Sequence, residues 1–299
     1  IRVFCADFNK DGRLEVTSPN KGAQHVDRQT KVLHPISWFE IADDPLKGDW
    51  QEHELTRVII PENARPVDLD GDGDLDIIGA SRGEERIMWF ENLGTPNITF
   101  EEHDIKVVNK QQPLEISGVN MDFHDFNADG LLDIVIFESP ERSTIGLIEQ
   151  PADPPAKWNY HEIGTTYPDH IIGLVVADIN DDGNPDIMTG TYSGGTRNKE
   201  EARTVDDILG RLAWFEHPEN VNDTWIRHDF SRRVRGMFDK FIPIDLDDDG
   251  DIDFVTTRGN SYPYDGVIWL EQVRSKQPMA RFVAARESES REMGLPSEN

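Results

Sequence analysis

A nine-residue acidic stretch, residues 68–76, constrains the fold of this chain more than any other feature of the sequence. It reads DLDGDGDLD. Side chains at positions 1, 3, 5 and 9 and the backbone carbonyl at position 7 can surround one hard cation, and glycine at position 6 permits the tight turn. Without an ion, the carboxylates would repel one another. The spacing therefore predicts a calcium loop.

This motif occurs five times along the chain. Its first aspartate lies at positions 7, 68, 125, 178 and 245, so that consecutive copies are 61, 57, 53 and 67 residues apart. Such a period indicates a repeat fold. The predicted calcium positions, of which position 7 of each loop contributes its backbone carbonyl, are Asp7, Asn9, Asp11, Arg13, Glu15, Asp68, Asp70, Asp72, Asp74, Asp76, Asp125, Asn127, Asp129, Leu131, Asp133, Asp178, Asn180, Asp182, Asn184, Asp186, Asp245, Asp247, Asp249, Asp251 and Asp253.

Short apolar runs around each loop predict four strands per repeat. A first strand precedes the loop, as at residues 116–119 before the third copy, and a second follows it, as at 133–137. A third strand contains Trp-Phe-Glu or a close variant, as at 89–92. A fourth has an aromatic residue near its start and a histidine near its end, as at 158–161, and is degenerate at 281–283. Five such repeats predict an all-β protein, a β-propeller of four-stranded blades.

The loops and the Trp-Phe-Glu-Asn strand resemble those of the FG-GAP/VCBS repeat family. The resemblance covers residues 1–283 and implies that each calcium loop joins the first and second strands of a blade. The five repeats predict five blades in this chain, or six or seven if upstream blades are missing. Two departures are Glu15 at position 9 of the first loop and Pro185 at position 8 of the fourth. We expect residues 284–299 to be a flexible tail, and a helical turn only within residues 198–209.

Other readings of the acidic loops fit less well. An EF-hand needs flanking helices and a bidentate glutamate at position 12, where this chain has Ser18, Gly79, Ile136, Thr189 and Thr256. The remaining alternative is that Asp, Asn and Gly are only good turn formers. That alternative does not explain the repeated spacing of the acidic positions.

Charge and cysteine content restrict the partners of the protein. The chain has 30 basic and 58 acidic residues, a net charge of −28, which argues against nucleic acid and anionic membranes as partners and favours a monomer. Cys5 is the only cysteine, so neither an intramolecular disulfide nor a thiolate zinc site can form. Millimolar extracellular calcium fills weak sites, so we expect an exported protein whose leader is not in this chain.

Function is expected at the end of the strands opposite the calcium loops, because that end carries residues that break the repeat. The link between the second and third strands of the third repeat lies at this end and contains Glu141 and Arg142. The predicted ligand-binding residues are Arg65, Glu115, Asp169, His170, Tyr192, Arg197, Asp239, Lys240, Arg258, Asn260 and Tyr264.

Three kinds of function are compatible with such a surface. A carbohydrate or glycan could stack on Tyr192, Tyr262, Tyr264 or Phe238. A carbohydrate lyase or dehydratase could use His170 or Tyr264 as its base and Arg197, Arg258 or Lys240 to stabilise an enolate. A protein-interaction scaffold is the third. A glycoside hydrolase ranks below the lyase, although two carboxylates could serve it.

Overall fold

The computed structural model describes residues 2–23, 25–94, 97–137, 143–154, 156–284 and 290–296. The protein is nearly all β, with 45% strand and 2% helix. Repeated four-stranded antiparallel sheets fit a β-propeller and confirm the predicted fold class. Among the described residues there is no helix with the length and apolar character that a membrane span requires.

The elements follow the predicted repeats. The first contains β1 (Phe4–Ala6), β2 (Glu15–Pro19), α1 (His25–Thr30), β3 (His34–Glu40) and β4 (Gln51–Val58). The second contains β5 (Pro61–Val67), β6 (Asp76–Ser81), β7 (Arg86–Asn92) and β8 (Phe100–Asn109), with β9 (Gln112–Pro113) after it. The third contains β10 (Met121–His124), β11 (Asp133–Phe137), β12 (Thr144–Glu149) and β13 (Lys157–Thr165). The last two contain β14 (His170–Ala177), β15 (Asp186–Tyr192), β16 (Gly210–Glu216), β17 (Ile226–Arg233), β18 (Phe241–Ile244), β19 (Asp253–Arg258) and β20 (Gly266–Leu270).

Each repeat is an antiparallel meander in chain order. The sheets β1-β2-β3-β4 and β14-β15-β16-β17 have four strands, and β18-β19-β20 has three. The second and third repeats join into one nine-stranded sheet, in which β13 runs parallel to β8 with Trp158 opposite Val107. The number of blades in the propeller stays a prediction.

The chain forms two compact units, each with its own core. The first comprises residues 1–119, 129–133 and 148–160, and the second residues 120–128, 134–147 and 161–299. Apolar side chains at loop position 2 enter these cores: Phe8 in the first unit and Ile179 in the second. Since a buried side chain is fixed at the start of the loop, the core positions the acidic residues that follow.

Two local predictions about strands are wrong. The first strand of the third repeat is β10, not residues 116–119, because in every repeat this strand ends immediately before the first aspartate of the loop. Ile116 instead donates its amide to the carbonyl of Glu85, 3.1 Å away. Residues 281–283 form no strand either. The ring of Phe282 packs 6.2 Å from that of Phe230.

The helix prediction is also wrong. The six-residue helix α1 lies between β2 and β3, whereas residues 198–209 contain only turns and irregular chain. In the latter segment Asp207 accepts hydrogen bonds from the amide and hydroxyl of Thr204, at 2.7 and 3.0 Å. Such local bonds compete with helix formation.

Candidate functional site

All five acidic loops lie between the first and second strands of their repeats and share one backbone conformation. Position 6 is glycine with φ between 86° and 93° in every loop. Position 4 is also left-handed, with φ between 58° and 75°, in Lys10, Gly71, Ala128, Asp181 and Asp248. Sequence reasoning anticipated the glycine and missed position 4, for which Gly71 was the only signal. At position 4 four of the five residues are not glycine and adopt this conformation at a steric cost, so the same turn geometry is repeated in every loop.

Backbone amides within the loop orient the acidic side chains. The carboxylate of Asp68 accepts the amides of Gly71 and Gly73, each at 3.0 Å. Asp178, at the same position of the fourth loop, accepts the amides of Asp182 and Gly183 at 3.0 and 2.9 Å. These bonds turn the side chain at position 1 across the loop.

In two loops every predicted side-chain ligand is an aspartate, and the spacing of their oxygens fits a calcium ion. Carboxylate oxygens of Asp68, Asp70 and Asp72 lie within 4.8 Å of one another. The same is true of the carboxylate oxygens of Asp245, Asp247 and Asp249. Calcium binds oxygen at 2.3–2.6 Å, so two ligands on opposite sides of one ion are at most about 5 Å apart. The donor set and its spacing therefore suit calcium.

The carboxylate at position 9 has a structural role that the sequence did not reveal. Asp76 is buried and accepts the amides of Leu69 at 3.1 Å and Asn92 at 2.8 Å, which ties the loop to the end of the third strand. Asp186 makes the equivalent bonds in the fourth repeat. Burial, opposed by these bonds, raises the pKa of Asp76 to about 7 and that of Asp186 to about 6. A cation nearby would favour the charged forms.

Glu15, at position 9 of the first loop, makes one of these two bonds, the one to the amide at position 2, in spite of its longer side chain. The two bonds to the carboxylate at position 9 are here called the clamp. The Oε2 of Glu15 accepts the amide of Phe8 at 2.9 Å, as aspartate does in the second and fourth loops. Burial raises the pKa of Glu15 as well. The substitution therefore preserves the fold of the first loop. Its predicted calcium occupancy stays a prediction.

The first four loops are also held by the repeat that follows each of them. The residue after Trp-Phe-Glu, or its variant, places a side-chain nitrogen 3.0–3.1 Å from the carbonyl oxygen at position 2 of the preceding loop. The four pairs are Asn92 with Phe8, Gln150 with Leu69, His217 with Phe126 and Gln272 with Ile179. In the first repeat the residue after Trp-Phe-Glu is Ile41, whose side chain has no hydrogen-bond donor. The polar residue that ends the third strand is therefore a link between successive repeats.

At the opposite end of the strands, Asp169 belongs to a buried ion-pair network. It is 0% exposed, and its Oδ2 lies 2.7 Å from Nε of both Arg211 and Arg232. Its Oδ1 accepts the amide of Leu209 at 2.7 Å. With every oxygen bound to buried partners, Asp169 supports this end of the second unit.

Several other predicted ligand residues shape the surrounding loops. Arg258 is buried and donates to the hydroxyl of Ser261 at 3.0 Å, and buried Asn260 donates to the carbonyl of Ser193 at 3.3 Å. His170 and Tyr192 face each other across β14 and β15, with ring centroids 5.8 Å apart.

The remaining predicted residues are distributed over both units. Lys240 is exposed, Tyr264 and Asp239 are half-buried, and Phe238 is buried in the core of the second unit. In the first unit, the guanidinium of Arg65 lies 6.0 Å from the ring of Phe4, and Glu115 lines a separate cavity of about 330 Å³. Glu141 and Arg142 lie outside the described residues.

An open groove of about 600 Å³ lies at this end of the second unit. Its lining residues come from the β15–β16 and β19–β20 links and are Gly195, Thr196, Arg197, Asn198, Tyr262 and Asp265. Tyr262 is 62% exposed. The sequence had indicated Arg197 and Tyr262. Asp265 lies in a link that the sequence had also indicated, whereas Asn198 was missed because no pattern in the sequence pointed to it.

The two links that line this groove are its walls, and Arg235 donates a hydrogen bond to the backbone of each of them. Its Nη1 donates to the carbonyl of Tyr262 at 2.8 Å and to that of Arg197 at 3.4 Å. Its Nε donates to Glu200 at 2.8 Å, and the side chain is buried. One charged side chain therefore ties together two links that are distant in the sequence.

Comparison with known families finds FG-GAP-like repeats in this chain. The family model for the FG-GAP-like repeat matches residues 68–136 and 125–189, which contain the second, third and fourth loops. This confirms the resemblance inferred from the sequence. No curated protein matches the chain.

Proposed function

We propose that this chain with FG-GAP-like repeats is an exported, calcium-stabilised β-propeller that binds a carbohydrate in the groove of Tyr262. Calcium would fill the acidic loops at one end of the strands. The carbohydrate would lie at the other end, between the β15–β16 and β19–β20 links. The groove is the observation that supports this assignment, because it combines an exposed aromatic face with convergent polar side chains.

The lining chemistry suits a sugar chain. The apolar face of a sugar ring can stack on the phenol of Tyr262, which loses little conformational entropy because it has only two side-chain torsions. Asn198, Thr196 and Asp265 offer donors and acceptors for hydroxyl groups. Arg197 can bind the carboxylate of an acidic sugar with two parallel hydrogen bonds. We therefore favour oligosaccharides that contain uronic acids.

Preorganisation of the walls supports binding. Because Arg235 already fixes the backbone at Tyr262 and Arg197, the ligand does not have to order both links when it binds. A groove with such fixed walls retains more of its interaction energy as affinity.

The binding test uses a panel of uronic-acid oligosaccharides and isothermal titration calorimetry. We expect Tyr262→Ala and Arg197→Ala each to weaken binding at least tenfold, about 1.4 kcal/mol. Tyr167→Ala is the matched control, since Tyr167 is 72% exposed outside the groove. Unchanged affinity of the Tyr262 variant, or no binding of any oligosaccharide, would refute the assignment.

The same incubation separates a binding module from a lyase. β-Elimination creates an unsaturated uronic acid, whose conjugated double bond absorbs short-wavelength ultraviolet light. We expect no increase in absorbance. An increase that disappears in a His170→Ala or Tyr264→Phe variant would identify an enzyme with one of these residues as its base.

Calcium stabilisation has an independent test. Ligand that binds only the native state stabilises it by about 2.7 kcal/mol at 100-fold and about 4.1 kcal/mol at 1,000-fold excess over Kd. Excess chelator should therefore lower the melting temperature, and added calcium should restore it. Asp72→Asn should reduce the restoring effect, whereas Asp43→Asn, 96% exposed outside the loops, should not. An identical melt with calcium and with chelator would rule out calcium stabilisation.

The proposal that the protein is exported depends on the calcium concentration that its loops need. Extracellular modules bind calcium with a Kd of about 10⁻⁴–10⁻³ M and fill only at the millimolar concentrations outside the cell. We expect calcium titration to give values in this range. Sites that are half-filled below micromolar calcium would remove the argument for export.

A further inference from the structure

Residues 290–294, here called the strap, lie beside the end of β17 and form one antiparallel β-bridge with it. The amide of Met293 donates to the carbonyl of Arg232 at 2.8 Å, and the amide of Val234 donates to that of Arg291 at 3.1 Å. Arg233 and Glu292 are the residues that form this bridge. An edge with free amides and carbonyls readily accepts such a segment.

Two buried arginines hold the ends of the strap. Arg233 donates to the carbonyl of Ser290 at 2.7 Å, and Arg232 donates to that of Gly294 at 2.8 Å. Arg232 also binds the buried Asp169. The strap is thus attached to the most deeply buried ion-pair network of the second unit.

Ser290 and Glu200 connect the strap to the β15–β16 link. Ser290 is 2% exposed, and its hydroxyl accepts the amide of Arg235 at 2.8 Å and donates to Glu200 at 3.0 Å. The amide of Arg291 also donates to Glu200, at 2.8 Å. Burial opposes ionisation of Glu200, but the hydrogen bonds from Arg291, Arg235 and Ser290 lower its pKa below the usual value.

The same carboxylate contacts the residue that fixes the groove. Glu200 accepts the Nε of Arg235 at 2.8 Å, and Arg235 donates to the carbonyls of Tyr262 and Arg197. A continuous series of hydrogen bonds therefore runs from the strap through Glu200 and Arg235 to both walls.

We propose that the strap is a positioning element for the groove: its docking on the edge at residues 232–235 fixes Glu200 and Arg235 and thereby the walls that bind the ligand. This inference rests on the proposed function, because it concerns the same groove. When the strap is undocked, Glu200 loses the donors of Ser290 and Arg291, and Arg235 loses its bond to Ser290. The walls then have more conformations to lose on binding, which weakens affinity.

The test uses two full-length variants that release the strap in different ways. Met293→Pro removes the amide that donates to Arg232, and Ser290→Asp places a second carboxylate beside Glu200. Met279→Pro is the control, since Met279 is 55% exposed in irregular chain outside the strap. Hydrogen exchange with mass spectrometry follows peptides that cover residues 232–235, 195–198 and 259–265.

We expect both strap variants to exchange faster at residues 232–235 and at both walls, and to bind the oligosaccharide at least about threefold more weakly. The control should match the unmodified chain. Fast exchange at 232–235 with unchanged exchange at the walls would overturn the proposal, as would full protection at 232–235 in both variants. If no oligosaccharide binds at all, the exchange at the walls still decides whether the strap positions them, so the two proposals fail separately.

Discussion

The link between successive repeats can be tested at Asn92, which is buried at the end of β7. Its Nδ2 donates to the carbonyls of Phe8 at 3.0 Å and Leu75 at 3.1 Å. Asn92→Asp keeps the shape and replaces this donor with an acceptor, so that two carbonyl oxygens lose their hydrogen bonds and face a carboxylate. Each unsatisfied buried acceptor costs about 1–3 kcal/mol. We expect a total destabilisation of about 3 kcal/mol.

Urea unfolding at pH 8 with saturating calcium measures this cost, because at that pH the new carboxyl has its greatest tendency to ionise. The matched control is Asn222→Asp, an exposed asparagine outside the described links between repeats. We expect the control to stay within about 0.5 kcal/mol of the unmodified chain. A similarly small change for Asn92→Asp would show that the polar residue after the third strand does not hold the loops, and would refute the reasoning.

Two further substitutions test the packing of the second unit. Gly190→Ala should destabilise by about 1–3 kcal/mol in thermal or urea unfolding, because a Cβ there would lie 2.5 Å from the carbonyl oxygen of Phe238; Gly294→Ala, with open space around its Cβ, should not, and equal effects would contradict the close packing. Asp169→Asn should destabilise by about 3–5 kcal/mol, because it removes the carboxylate that pairs with two buried arginines, although Arg211 keeps its pair with Asp229 at 3.3 Å. Asp43→Asn is its exposed control, and equal stability of the two variants would show that the buried network contributes nothing.

Much of the fold could be predicted because its signals are local and repeated. The acidic spacing identified the turn between the first and second strands, and Trp-Phe-Glu identified the third strand. Local signals failed where the pattern was short or interrupted. The six-residue helix α1 has too few turns for a clear period, and β10 alternates apolar and polar residues where a continuous apolar run was sought.

The candidate sites likewise have features that the sequence predicted and features that only the structure revealed. The predicted calcium sites consist of residues that are neighbours in the chain, and the structure gives the oxygens of two loops a spacing that suits the ion. The clamp at position 9 was not predicted, because an aspartate that could bind a metal and one that accepts two amides look the same in a sequence. Its second role becomes visible only when the amide of Asn92 is seen beside Asp76.

The sequence by itself determined the repeat, the all-β class and the acidic loops, and it predicted at which end of the strands a ligand binds. Only the tertiary structure decided which residues meet there: Asp169 is enclosed by arginines, whereas Arg197 and Tyr262 line one groove. The same is true of the strap, whose partners precede it by more than fifty residues. The physical reason is that turn chemistry and strand periodicity act between neighbouring residues, whereas a groove depends on contacts between segments that only folding brings together.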